Sequence, residues 1–196
     1  YLRMLKDPID NKALEEIMDQ YFELTPDEIA IVRDSIQQEQ DSEKKAEYYL
    51  ALQGLVPYHN QNNNESTEKV LIDSVKNTYA DVPIGYKMCN LTSQAMGLQY
   101  LGFDVPDSCS DMQYEDYLEY YRITKGYGSR ERQETRFNIA DDFGICVKEY
   151  NKLKPDEKKF KDTLLPYLRN GAAIILGGNF PGKHIVRLQE IQDKGI

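Results

Sequence analysis

The chain has 196 residues, which is enough for one well-buried domain or for a domain with a helical appendage. Its 24 Lys and Arg residues stand against 33 Asp and Glu residues, and the net charge of −9 argues against a general nucleic-acid binder. No apolar run approaches the ~18 residues that a membrane-spanning helix needs.

The first fifty residues have the pattern of helices. Apolar residues recur at helical spacing before residue 23 and again from Ser42 to Leu55. Between these stretches, Thr25-Pro26-Asp27-Glu28 has the form of a capping box with proline at the first helical position. Residues 1–54 therefore predict a helical N-terminal extension, which serves either packing or a regulatory, prodomain-like role.

The next thirty residues contain less regular signals. Leu55 to Asn64 predicts a short extended piece that runs into an exposed, asparagine-rich loop. A weaker helical stretch is predicted from Thr67 to Tyr79, and it leads to Pro83 shortly before the first cysteine.

The segment after residue 88 begins with a strong helical pattern. It runs from Cys89 with apolar residues on one face and ends at Gly102. Ser110-Asp111-Met112-Gln113 has the form of a second capping box, and it predicts a tyrosine-rich helix through Tyr121. A polar, glycine-containing loop is predicted over residues 127–134.

The last part of the chain combines one helix with two strands. A helical stripe from Phe160 to Leu168 ends at Asn170-Gly171. Strands are predicted over residues 172–176 and 184–191, with a glycine-rich loop between them. Residues 192–195 have the composition of a hairpin turn.

One cysteine and one histidine in these elements form a candidate catalytic pair. Cys89 opens the strong helix, and His184 opens a predicted strand 95 residues later. A helix N-terminus and a neighbouring imidazolium both favour the thiolate, which is the reactive form of cysteine. The pattern is typical of a papain-like thiol nucleophile, with His184 as base and then as acid.

The other cysteines define no further site. Cys109 and Cys146 can pair with each other or remain buried thiols, and no Cys-x-x-Cys or closely spaced Cys/His set predicts zinc. We expect no cofactor. No signal peptide is visible, but a chain that starts at Tyr1 leaves open a leader removed earlier. A secreted or cell-surface location is slightly favoured over the cytoplasm.

Three segments resemble one family of enzymes. Cys89-Asn90-Leu91-Thr92-Ser93-Gln94-Ala95-Met96 is similar to the nucleophile helix of bacteriocin-leader-peptidase-like cysteine peptidases, within the papain superfamily. Gly171 to Leu176 followed by Gly182-Lys183-His184-Ile185-Val186 resembles their histidine hairpin, and Val56 to Asn63 resembles the glutamine segment that precedes the nucleophile. The resemblance covers residues 55–196.

The resemblance implies a partner for the cysteine in binding the oxyanion. In such enzymes a glutamine side chain and the cysteine's backbone amide together form the oxyanion hole, and Gln61 is the best match for that glutamine. The family's glutamine commonly lies closer to the cysteine, at a position that Pro83 occupies here. Residues 65–88 are therefore expected to form an insertion that loops out and leaves Gln61 at the site.

The sequence leaves the identity of the third catalytic residue open. The family's orienting Asp or Asn lies on the strand after the histidine hairpin, but this sequence ends twelve residues beyond His184. Asp193 is the acidic candidate there, although its Asp-Lys-Gly context is typical of a tight turn. The alternatives are a chain truncated before the orienting residue and a site that works as a dyad.

These features predict an α+β protein with a papain-like fold. Its nucleophile helix packs on a small antiparallel sheet, with a helical extension over residues 1–54 and a catalytic domain over residues 55–196. The predicted function is that of a bacterial or phage cysteine peptidase with the site Cys89, His184, Gln61 and Asp193. The resemblance implies a peptide or peptidoglycan-type substrate. The alternative is a non-catalytic binding module on the same fold.

Overall fold

A computed structural model of the protein describes residues 11–20, 23–63, 67–73, 76, 78–83, 87–149, 157–178 and 184–188. The helices in these ranges are α1 (Asn11–Gln20), α2 (Pro26–Gln38), α3 (Ser42–Gln53), α4 (Cys89–Tyr100), α5 (Tyr114–Thr124), α6 (Gln133–Asp142) and α7 (Glu157–Arg169). The strands are β1 (Thr67–Asp73), β2 (Thr78–Pro83), β3 (Ile174–Gly178) and β4 (His184–Leu188).

The N-terminal helices form as the sequence predicts. At the start of α2 the Glu28 amide donates to Thr25 Oγ1 at 3.3 Å, and the Thr25 amide donates to Glu28 Oε2 at 2.9 Å. This reciprocal pair satisfies amides that a helix start leaves unpaired, so the predicted capping box is confirmed.

Helices α1 to α3 share a hydrophobic core with α4. Ile29, Val32 and Leu52 are completely buried, and they belong to the same cluster as Met96 and Tyr100 of α4. Each Å² of buried apolar surface stabilises a fold by roughly 25 cal/mol, so a shared apolar core of this kind is a main source of stability for a small domain. The helical extension is thus packed directly onto the helix that begins with Cys89.

Helix α4 is central and is covered on all sides. Every residue from Asn90 to Tyr100 is buried, including polar ones. Its second side packs against α5 and α6, in a cluster that holds Leu91, Leu118 and Ile139. The prediction of a single apolar face was therefore too narrow, because polar residues of α4 are also buried, and Asn90, Ser93 and Gln94 donate to neighbouring backbone carbonyls.

The predicted helix from Thr67 to Tyr79 is wrong. β1 and β2 form an antiparallel ribbon with Thr67 opposite Pro83. A short apolar run fits helical and strand periods almost equally well, and the β-branched and aromatic residues of this segment favour the extended form. The ribbon accounts for most of the insertion between residues 65 and 88, and the prediction that this insertion loops out is compatible with it.

The C-terminal ribbon has the predicted antiparallel form. Ile174 lies opposite Leu188, and Gly178 lies opposite His184. Leu188 packs in a cluster with Leu164 and Leu168 of α7. The predicted turn at residues 192–195, together with Asp193, lies outside the described residues.

Helix α5 begins without the capping box predicted for it. Its N-cap residue is Gln113, which makes no side-chain cap. Ser110 instead follows a 3-10 helix at Asp107–Cys109, and its amide donates to the Asp107 carbonyl at 3.4 Å. A local turn thus uses the residues that the sequence pattern had assigned to the cap.

The described elements make the protein helix-rich with small antiparallel ribbons, so the α+β class is confirmed. Among the described helices none has the length and apolar content to cross a membrane.

Candidate active site

A cavity of about 260 Å³ lies where the start of α4, strand β4 and the segment before the β1–β2 ribbon meet. The described residues that line it are Tyr58, His59, Asn60, Gln61, Asn62, Cys89, Thr92, Ser93, Met96, Ile185, Val186 and Arg187. Cys89 and Gln61 therefore lie on one cavity, although 28 positions separate them in the sequence. None of these lining residues carries a carboxylate.

Cys89 is the first residue of α4 and is partly exposed to solvent. The preceding residue, Met88, supplies no side-chain cap, whereas Asn90 Oδ1 accepts from the Leu91 amide at 2.8 Å. The first amides of the helix carry the partial positive charge of the helix N-terminus. The geometry suits an anion at or near the Cys89 sulfur.

Arg130 clamps the turn that carries Cys89. Its Nε donates to the Lys87 carbonyl at 3.2 Å, and its own carbonyl accepts from Asn90 Nδ2 at 2.6 Å. Its Nη1 donates to Glu119 Oε1 of α5 at 2.9 Å. Residues on both sides of Cys89 are thus fixed to one buried arginine, which limits movement of the thiol.

A second arginine supplies charge near the thiol. Arg136 Nη1 donates to the Arg130 carbonyl at 3.2 Å, the same carbonyl that binds the Asn90 side chain. Burial lowers the pKa of Arg136, and electrostatic attraction to a Cys89 thiolate acts in the opposite direction. The Arg136 guanidinium is therefore a positive charge that interacts electrostatically with the Cys89 side chain.

Strand β4 is fastened to α4 one turn beyond the cysteine. Ser93 Oγ donates to the Ile185 carbonyl at 3.0 Å. His184 begins this strand, and the three residues that follow it all line the cavity with Cys89. The helix of the predicted nucleophile and the strand of the predicted base are therefore in direct contact.

The segment that carries Gln61 is anchored through His59. His59 Nδ1 lies 2.9 Å from Glu115 Oε2, and His59 Nε2 lies 2.7 Å from Gln99 Oε1. The Glu115 side chain is only 1% exposed, so this is a buried contact to α5. His59 lies in a loop, and its ring fixes that loop to the two helices α4 and α5.

The charge of His59 follows from these contacts. Burial by itself lowers the pKa of His59, but the hydrogen bond and charge of Glu115 outweigh burial, with help from Gln99, so that the pKa is raised. Two acceptors around one ring are best satisfied by an imidazolium, which donates from both nitrogens. The raised pKa favours the imidazolium form of His59, which is itself one of the residues that line the cavity.

The structure describes some of the predicted site residues and leaves others outside the described ranges. Cys89, Gln61 and the His184 strand meet at one cavity, whereas Asp193 lies outside the described residues. Cys109 and Cys146 are free thiols, the first partly exposed and the second exposed, so neither the disulfide nor a pair of buried thiols is present. The described residues contain no group of three His, Cys, Asp or Glu side chains able to hold a metal.

Sequence reasoning missed four positively charged or hydroxyl side chains of the site, namely Arg130, Arg136, Arg187 and Ser93. Arg130 lies in a loop, Arg136 on α6 and Arg187 on β4, and single arginines carry no spacing signal. Ser93 was available in principle, because it lies one helical turn beyond Cys89 on a helix whose residues were expected to pack.

Comparison with models of protein families, with curated proteins and with solved structures finds no significant match for this chain.

Proposed function

We propose that the protein is a cysteine hydrolase with a papain-like fold that cleaves a peptide-type amide through an acyl-enzyme. The observation that carries this proposal is the cavity on which Cys89, Gln61 and the three residues after His184 all lie. Each element of the resemblance to bacteriocin-leader-peptidase-like enzymes thus contributes to one concave surface, which is where small substrates bind in proteins.

In the proposed reaction the Cys89 thiolate attacks the carbonyl carbon of the substrate, and the carbonyl oxygen becomes an oxyanion. The Cys89 amide and the Gln61 side-chain amide donate hydrogen bonds to that oxygen. His184 gives a proton to the leaving amine, which departs and leaves a thioester on Cys89. Water then attacks the thioester with His184 as base, which releases the acid and restores the thiol.

The surroundings of Cys89 support this chemistry. Arg130 holds the residues before and after the cysteine, and Arg136 places positive charge near the sulfur. A nucleophile that is fixed in position and kept ionised reacts faster, because less reorganisation is needed at the moment of attack. The anchoring of the loop by His59 serves Gln61 in the same way.

The substrate proposed is a peptide or a peptidoglycan-type peptide, as the family resemblance implies. Tyr58 lines the cavity and is 73% exposed, so it offers an aromatic surface for an extended chain. An orienting residue for His184 would come from Asp193, or the site would act as a dyad.

The test is acylation by 4-nitrophenyl acetate, with the exposed Cys146 as an internal reference thiol. We expect a burst of nitrophenolate, acetyl on Cys89 detected by peptide mass spectrometry, and continued turnover that is lost in Cys89→Ala. Loss of the oxyanion donor in Gln61→Ala should slow acylation, by up to ~10²–10³-fold as for such donors elsewhere. Acetylation of Cys89 no faster than that of Cys146, without turnover, would support the non-catalytic binding module.

A further inference from the structure

The cavity has a buried positive charge for which the described chain supplies no counter-ion. Arg187, on strand β4, lines the cavity, and its side chain is 93% buried, being 7% exposed. Its Nη2 donates to the Gln53 carbonyl at 3.2 Å and to Gln53 Oε1. Its Nε and Nη1 have no hydrogen-bond partner, although both are buried.

The neighbours of Arg187 within the described residues are neutral or positively charged. Its guanidinium lies 5.2 Å from the ring centroid of Tyr100, and Arg33 lies on the same ring at 4.6 Å. Burial raises the pKa of Tyr100 to about 12, so this phenol carries no negative charge at neutral pH. In the described part of the chain no carboxylate pairs with either arginine.

A buried arginine without a counter-ion lowers the stability of the protein while the cavity is empty. Burial lowers the pKa of Arg187 to about 10, which still leaves it charged at neutral pH. A buried charge without a partner and two unsatisfied donors both destabilise the free protein. Both penalties are reduced when an anion in the cavity accepts from the Arg187 guanidinium, after a shift of the side chain that brings its buried Nε and Nη1 to the cavity surface.

We propose that Arg187 is a substrate-binding residue, which recognises a carboxylate on the peptide whose amide Cys89 attacks. This inference rests on the proposed function and adds the class of substrate, an acidic peptide. The overall charge of −9 disfavours anions at the surface in general, so attraction confined to this cavity provides selectivity.

The position of the carboxylate follows from the helix. Met96 lines the same cavity as Arg187 and lies seven residues after Cys89, which sets the scale of the cavity at ~10 Å along an α-helix with 1.5 Å per residue. An extended peptide advances roughly 3.3 Å per residue. The acidic group therefore lies about three residues' length from the carbonyl that is attacked.

The experiment uses two alkylating peptides that differ only in charge, N-bromoacetyl-Gly-Glu amide and N-bromoacetyl-Gly-Gln amide. In both, the Cys89 sulfur forms a bond to the methylene carbon and bromide leaves. The glutamate carboxylate is ~10 Å from that carbon in an extended chain. The second-order rate of Cys89 modification is measured at low ionic strength for each peptide, with Cys146 as the exposed reference thiol.

We expect the wild-type protein to react about 10-fold or more faster with the glutamate peptide than with the glutamine peptide, as a charge-assisted hydrogen bond would give. The preference should disappear in Arg187→Met and persist in Arg33→Met, which also removes an arginine from Tyr100. A wild-type ratio near one overturns the inference, and so does a preference that Arg187→Met leaves unchanged.

A second measurement on the wild-type protein covers the case in which Arg187→Met does not fold. Peptides with no glycine and with three glycines before the glutamate move the carboxylate nearer to Cys89 and farther from it. A preference that peaks with one glycine supports Arg187, whereas a preference independent of length overturns it. The absolute rate with the glutamine peptide reports activation of Cys89, so failure of the proposed function is seen separately.

Discussion

At the scale of single residues, the candidate site is defined by side chains that act on Cys89 from outside its helix. Arg130 binds the Lys87 carbonyl before the cysteine and the Asn90 side chain after it, Arg136 supplies charge, and Ser93 joins the helix to strand β4. Their effects can be tested separately, because Arg130 restrains the turn that carries Cys89, Arg136 acts electrostatically, and Ser93 positions strand β4.

The electrostatic contribution is tested with Arg136→Gln. Removal of a cation near the thiolate should slow modification of Cys89 by iodoacetamide at neutral pH by about fivefold, equivalent to about 1 kcal/mol. Arg132→Gln is the matched control, because Arg132 is exposed and caps the same helix, α6. Equal rates in the wild-type protein and Arg136→Gln would contradict the electrostatic role.

The positional contribution is tested with Ser93→Ala. This change removes the donor to the Ile185 carbonyl and should lower the free energy of unfolding by about 1 kcal/mol. It should also weaken the dependence of Cys89 alkylation on His184, because the strand that begins at His184 is no longer fastened to α4. Ser35→Ala removes a hydroxyl that bonds only within its own helix and should leave alkylation unchanged.

At the scale of secondary-structure elements, two local features determine how neighbouring elements meet. The ring of His59 joins the Gln61 loop to α4 and α5, and Gly171 lets the chain turn from α7 into strand β3. Each of these two features leads to a prediction about the stability of the fold.

The first prediction concerns pH. The pKa of His59 is raised in the folded state, so its imidazolium stabilises the fold fully below the unfolded value of about 6.5. This stabilisation is lost as the pH rises through the higher pKa of the folded state. The free energy of unfolding, measured by urea denaturation, should therefore decrease as the pH rises from about 6 to about 9, above the unfolded histidine pKa of about 6.5.

In Glu115→Gln that decrease should become much smaller, because the carboxylate that holds the proton on His59 is gone. The comparison is made in a His184→Ala background, so that His59 is the only titrating histidine. A pH dependence that is the same with and without the Glu115 carboxylate would show that another group is responsible.

The second prediction concerns Gly171. Its φ is +78°, and a Cβ at this position would lie 2.7 Å from Tyr49 Cε1. Gly171→Ala should therefore lower the free energy of unfolding by more than the ~1–2 kcal/mol of left-handed strain alone. Gly126→Ala is the control, since Gly126 has a φ of +69° with open space around it. Equal losses in thermal melts of both variants would exclude the contact with Tyr49.

At the scale of the whole molecule, the sequence predicted local features better than distant contacts. The capping box at Thr25, the helix at Cys89 and the strand at His184 follow from short-range patterns, and the structure contains all three. The helix predicted over residues 67–79 was wrong because the periodicity of this segment is ambiguous. Whether it forms a strand depends on pairing with a second strand, which the local pattern does not contain.

The candidate site shows the same division. Cys89 and Gln61 could be chosen from their local motifs, and the structure places them on one cavity. Arg136 and Arg187 could not be chosen, because an isolated arginine reaches a site only through the packing of distant elements. The pairing of His59 with Glu115 also depends on how a loop meets α5, which no local pattern contains.

The central claim, that Cys89 is an activated nucleophile served by His184, is tested most directly by alkylation of each cysteine as a function of pH. Rates for Cys89, Cys109 and Cys146 are measured by peptide mass spectrometry in the wild-type protein and in His184→Ala. The account predicts that Cys89 alone reacts fast below pH 7 and loses this reactivity in the variant. A Cys89 profile that follows an ordinary thiol near ~8.5 and is the same in both proteins would contradict it.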